Sequence, residues 1–214
     1  MNHRKELVLS ISCLLLAFLL TMVWIQQRDE NMAAKISPEI LRFHVLANSN
    51  SNEDQKLKLE VKSLLIDTIN KGLPTDAGKE ETCTYIKEHQ SDLEQTAETY
   101  MKQAGYDYPV AVALTNCYFP TKAYGDVVLP CGNYDAAEVV IGSGRGRNWW
   151  CVLYPQLCFV NASYGVVPEA SKELLRNVLT QEEYLAILDN RNERLQVEVH
   201  FKMLDVMKDK IGKK

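Results

Sequence analysis

Cys151 and Cys158 are the thiols best placed to do chemistry in this chain, and His44 and His200 are the imidazoles that could serve them. A cysteine hydrolase needs a thiolate, a histidine within hydrogen-bond reach and a third group that orients the histidine. Both histidines fall in segments that alternate apolar and polar residues, so a sheet could carry either one to a thiol. Neither cysteine follows a strand-to-helix elbow, however, and no oxyanion loop is visible. The six residues between the two cysteines include Pro155, which can bend the chain enough for them to meet. Cys151 and Cys158 are therefore read as structural thiols or as a local disulfide. An extracytoplasmic cysteine-dependent hydrolase is kept as the alternative function.

Other chemistry finds less support. Of six cysteines, Cys13 sits in an apolar N-terminal run, which leaves Cys83, Cys117, Cys131, Cys151 and Cys158. Five is an odd number for a disulfide framework, and no CxxC spacing occurs, so a structural zinc or a thioredoxin-type site is not expected. Gly142-x-Gly144-x-Gly146 has the glycines of a phosphate loop but runs into an aromatic strand instead of a helix. It reads as a turn. The carboxylates are spread over helix surfaces without a paired, apolar setting. The sequence thus predicts no catalytic set, no cofactor, no metal and no small-molecule substrate. A formal charge of −4 gives no electrostatic case for nucleic acid.

What does stand out is an aromatic strip. Tyr118, Phe119, Lys122, Tyr124 and Tyr134 precede the glycine turn with Arg145 and Arg147, and Trp149 and Trp150 follow it. Trp, Tyr and Arg are the residues that carry protein interfaces. These nine are the candidate partner-binding residues.

The elements that would hold them are legible in outline. Arg4 and Lys5 precede an uncharged run from Leu7 to Ile25, the pattern of an export signal that is also long enough to span a bilayer. An uncleaved anchor fits this run better than a cleaved signal, although Asn31-Met32-Ala33-Ala34 offers a cutting site. The two basic residues stay inside and the rest faces outward. Residues 26–37 read as a polar tether. A strand is predicted at Leu41–Ala47, a helix after the capping residues 48–52, and a second long helix over about 76–103. Strands follow at 108–119, 127–129, 137–141 and 149–154, the last as hairpin partner of its predecessor across the glycine turn. Two short helices are expected at 169–179 and 181–189, then an amphipathic strand at Leu195–Phe201 and a short helix. The expected fold is α+β: a mostly antiparallel sheet with two long helices packed on one face, preceded by the N-terminal signal or anchor helix. Residues 1–34 form the leader and tether, 35–208 a single extracytoplasmic domain, and 209–214 a basic tail.

The motif residues together resemble the stage II sporulation protein R family of endospore-forming bacteria. The resemblance lies in Leu41-Arg42-Phe43-His44-Val45-Leu46-Ala47-Asn48-Ser49, in Phe119-Pro120-Thr121-Lys122-x-Tyr124-Gly125, in Leu129-Pro130-x-Gly132-x-Tyr134, and in Asn148-Trp149-Trp150-Cys151-Val152-Leu153-Tyr154-Pro155-x-Leu157-Cys158-Phe159. Cys131 departs from the family pattern, where a small residue stands. The resemblance implies a non-enzymatic signal exported from the forespore into the space between the two sporulating compartments. There it would activate a membrane-bound aspartic protease of the mother cell, which processes the precursor of sigma-E. Its partners would be that protease and, through the N-terminal helix, a membrane.

Overall fold

The computed structural model describes residues 3–74, 76–158 and 167–188. The strand predicted at Leu195–Phe201, His200, Phe159 and the basic tail lie outside the described residues.

The chain opens with α1 (His3–Ile36), a 34-residue helix long and apolar enough to cross a membrane. The polar stretch after Ile25 does not become a tether. Helix continues to Ile36, followed by one 3-10 turn over Ser37–Glu39. The reason is burial: Ala33 and Ile36 lie one turn apart and both are fully buried against the domain.

β1 (Leu41–Leu46) is buried on both faces. A run of this kind belongs in the middle of a sheet, and it sits there. The remaining strands are β2 (Val110–Phe119), β3 (Lys122–Tyr124), β4 (Val127–Leu129), β5 (Gly132–Ile141) and β6 (Asn148–Tyr154). The main sheet has the order β2-β5-β1-β6, and β3 pairs with β4 in a two-stranded ribbon. β2 and β5 form an unbroken antiparallel ladder from Val110↔Ile141 to Phe119↔Gly132. β1 runs parallel to β5 and antiparallel to β6. The glycine turn therefore does not join a hairpin, as its sequence suggested; β1 is inserted between β5 and β6. The fold is α+β with a mixed, mostly antiparallel sheet.

One face of the sheet packs on α2 (Asn52–Gly72), α3 (Lys79–Glu88) and α4 (Gln90–Gln103). Ser51 caps α2 by accepting from the Asp54 N–H at 3.1 Å. Leu57, Val61, Leu65 and Ile69 of α2 meet Phe43 and Val45 of β1 and Val139 of β5. The second helix predicted as one is two: His89 leaves helical geometry with ψ 18°, and its ring Nδ1 lies 3.0 Å from the Tyr85 carbonyl. The opposite face of the sheet builds a second core. It takes in Phe119, Tyr124, Tyr134, Ala136 and Val152, the end of α1, and the two short helices α5 (Glu169–Val178) and α6 (Gln181–Ile187).

The end of α1 approaches β5 closely. A Cβ placed on Gly132 would stand 2.4 Å from the Ala33 Cβ, so only glycine admits the helix there. Tyr118 adds a hydrogen bond from its hydroxyl to Glu30 at 3.3 Å. Because the space is full, Ala33→Leu is expected to cost about 1–3 kcal/mol by overpacking. Ala34→Leu, on the exposed side of the same turn, should cost nothing measurable. Thermal melting of the detergent-solubilised chain checks this; equal melting temperatures would mean that α1 is not packed on the sheet.

Candidate functional site

The alternation of β1 sends Leu41, Phe43 and Val45 to the helices and Arg42 and His44 to the second core. Arg42 is completely buried. Its guanidinium lies over Phe119 at 4.5 Å, Tyr134 at 5.0 Å and Tyr124 at 5.8 Å. One nitrogen, Nη2, donates to the Tyr124 hydroxyl at 3.2 Å, while Nε and Nη1 have no hydrogen-bond partner among the described residues. No carboxylate pairs with it among the described residues. Burial pulls its pKa below the usual range, and the negative faces of the three rings supply compensating electrostatic contact. Tyr134 is fixed in turn by donating to the Pro130 carbonyl at 2.9 Å.

His44 stacks on Trp150 of β6, with ring centres 5.0 Å apart and planes 9° from parallel. Its Nε2 stands 3.3 Å from Glu138 Oε1 and 3.8 Å from Cys117 Sγ. This Cys–His–Glu grouping was not legible in the sequence, because Cys117, His44 and Glu138 come from three strands whose pairing order is not local. Its geometry is not that of an activated nucleophile. Thiol and carboxylate address the same ring nitrogen, and Nδ1 is buried without a partner among the described residues, so none of these orients the ring as a third group would. Burial, aided by the positive Arg42, pushes His44 down to about 4, despite the nearby Glu138. Burial also raises the Cys117 thiol. At neutral pH both groups are neutral. Among the described residues no three His, Cys, Asp or Glu side chains are arranged to hold a metal ion.

The two cysteines first considered as nucleophiles are joined to each other: Cys151 and Cys158 form a disulfide, with Cα atoms 5.4 Å apart. Neither position offers His44 a free thiol, and its ring meets Cys117 instead. His200 lies outside the described residues.

The aromatic strip divides. Phe119 and Tyr134 are fully buried around Arg42 and Tyr124 nearly so, which removes Phe119 and Tyr134 from the partner-binding residues and leaves Tyr124 only an edge in a cavity wall. The physical reason is the charge on Arg42, which three ring faces enclose. Tyr118 is exposed at 47%. Trp149 and Trp150 are half-buried on opposite faces, each with a lysine near its ring: Lys62 at 5.0 Å and Lys122 at 6.0 Å. Arg145 and Arg147 are exposed. Their turn is held by its backbone: Gly146 N–H donates to the Ala47 carbonyl, Arg147 N–H to Asn50 Oδ1, and Lys58 Nζ to the Arg147 carbonyl, each at 2.8 Å. The exposed members do not make one patch. Tyr118 pairs with Asn133 near the start of β5, whereas the arginine turn follows its end at Ile141. Eight residues of strand separate those two levels by about 27 Å.

An α+β domain carried on a helix long and apolar enough to cross a bilayer, with an arginine enclosed by aromatic rings in its second core, is the class these features define. The family model for stage II sporulation protein R matches residues 37–164. Stage II sporulation protein R of Bacillus subtilis (strain 168) is 31% identical over 193 residues, covering 86% of each chain. The chain belongs to the stage II sporulation protein R family. No solved structure matches it.

The neutral state of His44 has a consequence for stability. The folded protein keeps His44 unprotonated down to about pH 4, whereas the unfolded chain binds a proton near 6.5. Below about pH 6.5 the unfolded state therefore binds more protons, and folding stability falls as pH drops toward 4. Above 6.5 the contribution is fully present. The urea midpoint of wild type should fall more steeply through this window than that of His44→Phe. Parallel pH profiles would show that His44 is solvated.

Proposed function

We propose that this chain is an exported, helix-anchored sporulation signal. It would act from the extracytoplasmic side on a membrane-bound aspartic protease and so start processing of the sigma-E precursor. Family membership supports the sporulation role. The carrying observation is the continuity of α1: the apolar helix that would cross the membrane ends inside the domain's second core at Ala33 and Ile36. Only eight helical steps, about 12 Å of helix, separate Ile25 from Ala33, so the domain rides close to the bilayer surface. Cutting after Ala34 would remove Ala33 from the core, which favours a retained anchor. The Cys151–Cys158 disulfide accords with an oxidising compartment outside the cytoplasm.

The recognition surface is sought at Arg145 and Arg147. Their backbone is clamped to the Ala47–Asn50 turn, while among the described residues no acceptor engages either guanidinium. Arginines presented on a fixed frame lose little freedom on binding. The hydrolase reading has less to stand on, since its cysteines are bonded to each other and the thiol beside His44 is protonated.

The test is precursor processing in a host that makes the membrane protease and the sigma-E precursor. The full chain should trigger processing, and a version lacking residues 1–27, kept in the cytoplasm, should not. Cys117→Ser should signal normally. Arg145→Ala with Arg147→Ala should leave the melting temperature unchanged and lower processing about tenfold, equivalent to roughly 1.4 kcal/mol of binding. Full activity of the cytoplasmic version would overturn the export reading. Loss of activity in a folded Cys117→Ser would revive the hydrolase.

A further inference from the structure

The glycine turn and the first half of α2 bring cations together. Arg145 and Arg147 are exposed on the turn, on either side of Gly146. A Cβ on Gly146 would run into the Ser49 carbonyl, so only glycine admits this approach to the loop before α2. Lys58 and Lys62 of α2 stand one turn apart on the same helix face. Lys58 is buried beneath the turn, where its Nζ donates to Gln55 Oε1 at 2.7 Å and to the Arg147 carbonyl at 2.8 Å. Trp149, two residues on, packs on the helix side of the sheet, with the half-buried Lys62 5.0 Å from its ring centre. Among the described residues no carboxylate forms an ion pair with any of the four cations. Burial lowers the pKa of both lysines, and Arg147 lowers that of Lys58 further, while Asp67 opposes the shift at Lys62. Asp54, the carboxylate tied to this turn, is buried and taken up by Asn48 Nδ2 at 3.0 Å.

We infer that Arg145, Arg147 and Lys62, with the charge of Lys58 beneath them, form a docking patch for an acidic segment of a partner protein. The inference gives the recognition surface its chemistry, and it rests on the signalling reading for the partner being the membrane protease. Cations held together on a fixed frame repel one another, and an anionic segment relieves that repulsion as it binds. The guanidinium fork matches a carboxylate in two parallel hydrogen bonds, which sets its geometry as well as its charge. The chain as a whole carries a charge of −4. An acidic partner is therefore repelled by the molecule in general and steered to this patch. Position favours a protein over the headgroups of the anchor's own bilayer. β5 meets α1 at Gly132 and leads into the turn after Ile141, so the patch lies at the other end of the strand, about 30 Å from that junction.

Fluorescence anisotropy of a labelled octaglutamate peptide, added to the full chain in phosphatidylcholine nanodiscs, tests this. The peptide should bind wild type, more weakly as salt is raised. Arg145→Glu with Arg147→Glu should weaken binding about thirtyfold at an unchanged melting temperature, and Lys62→Gln about threefold. Lys87→Glu with Lys102→Glu makes the same change in net charge at exposed positions of α3 and α4 and should stay within about twofold of wild type. Absence of binding to wild type would overturn the inference. So would equal weakening by the two double variants, since net charge alone would then account for the affinity. Protection of Arg145 and Arg147 from phenylglyoxal by phosphatidylglycerol nanodiscs, with no peptide present, would also overturn it, because the anchor's own bilayer would be the occupant. The peptide assay contains no protease. Patch-specific binding by a chain that triggers no precursor processing would therefore support the inference and contradict the signalling reading alone.

Discussion

A guanidinium buried completely in the middle of a sheet is costly unless its surroundings answer the charge. Arg42 is in that position, with no carboxylate beside it among the described residues, and three aromatic rings answer it. Much of the second core follows from this requirement. Phe119 must arrive from β2, Tyr124 from the β3–β4 ribbon and Tyr134 from β5, so each of those elements is fixed relative to β1. Phe119 in turn packs on Trp150 and His44, and the same core receives the end of α1. The arginine thereby links the central strand, the ribbon and the anchor helix in one packed body.

The same enclosure decides what is left for recognition and for chemistry. Rings that look like an interface in the sequence are spent on a buried cation. Beside them, His44 is kept neutral by burial and by Arg42 itself, and Cys117 is kept protonated. A low-dielectric setting next to a positive charge could favour a thiolate, but here desolvation dominates. The site is a structural node, and the exposed charges lie elsewhere, on the arginine turn.

The central strand β1, the helix α2 and the strands β2 and β6 were legible from periodicity and capping, because those are local properties. The role of Arg42 was not: a charged residue alternating with Leu41 and Phe43 reads as the solvated face of a strand. Nor could local pattern reveal that β1 separates β5 from β6, since pairing order depends on which strand is buried on both faces and not on loop length, and Arg42 and His44 keep β1 from reading as such a strand. The continuation of α1 to Ile36 was masked by polar residues from Gln26 to Asn31, and only Ala33 and Ile36 carry its buried side. The helix break at His89 falls beside Gln90, the one polar residue in the repeat of Cys83, Ile86, Leu93 and Ala97, and a single polar position does not by itself mark a break. Among the partner-binding candidates, Arg145, Arg147 and Tyr118 keep the exposure their residue types suggested.

The central claim is that planar ring contact, and not an unseen carboxylate, holds Arg42. Equilibrium unfolding of two variants tests it directly. Arg42→Met keeps the volume and removes the buried charge, and should stay within about 1.5 kcal/mol of wild type. Arg42→Lys keeps the charge but loses the planar face and leaves a compact ammonium to be desolvated, so it should be clearly the less stable of the two. A lysine variant as stable as wild type, together with a methionine variant that fails to fold, would contradict the account and require an anionic partner for Arg42.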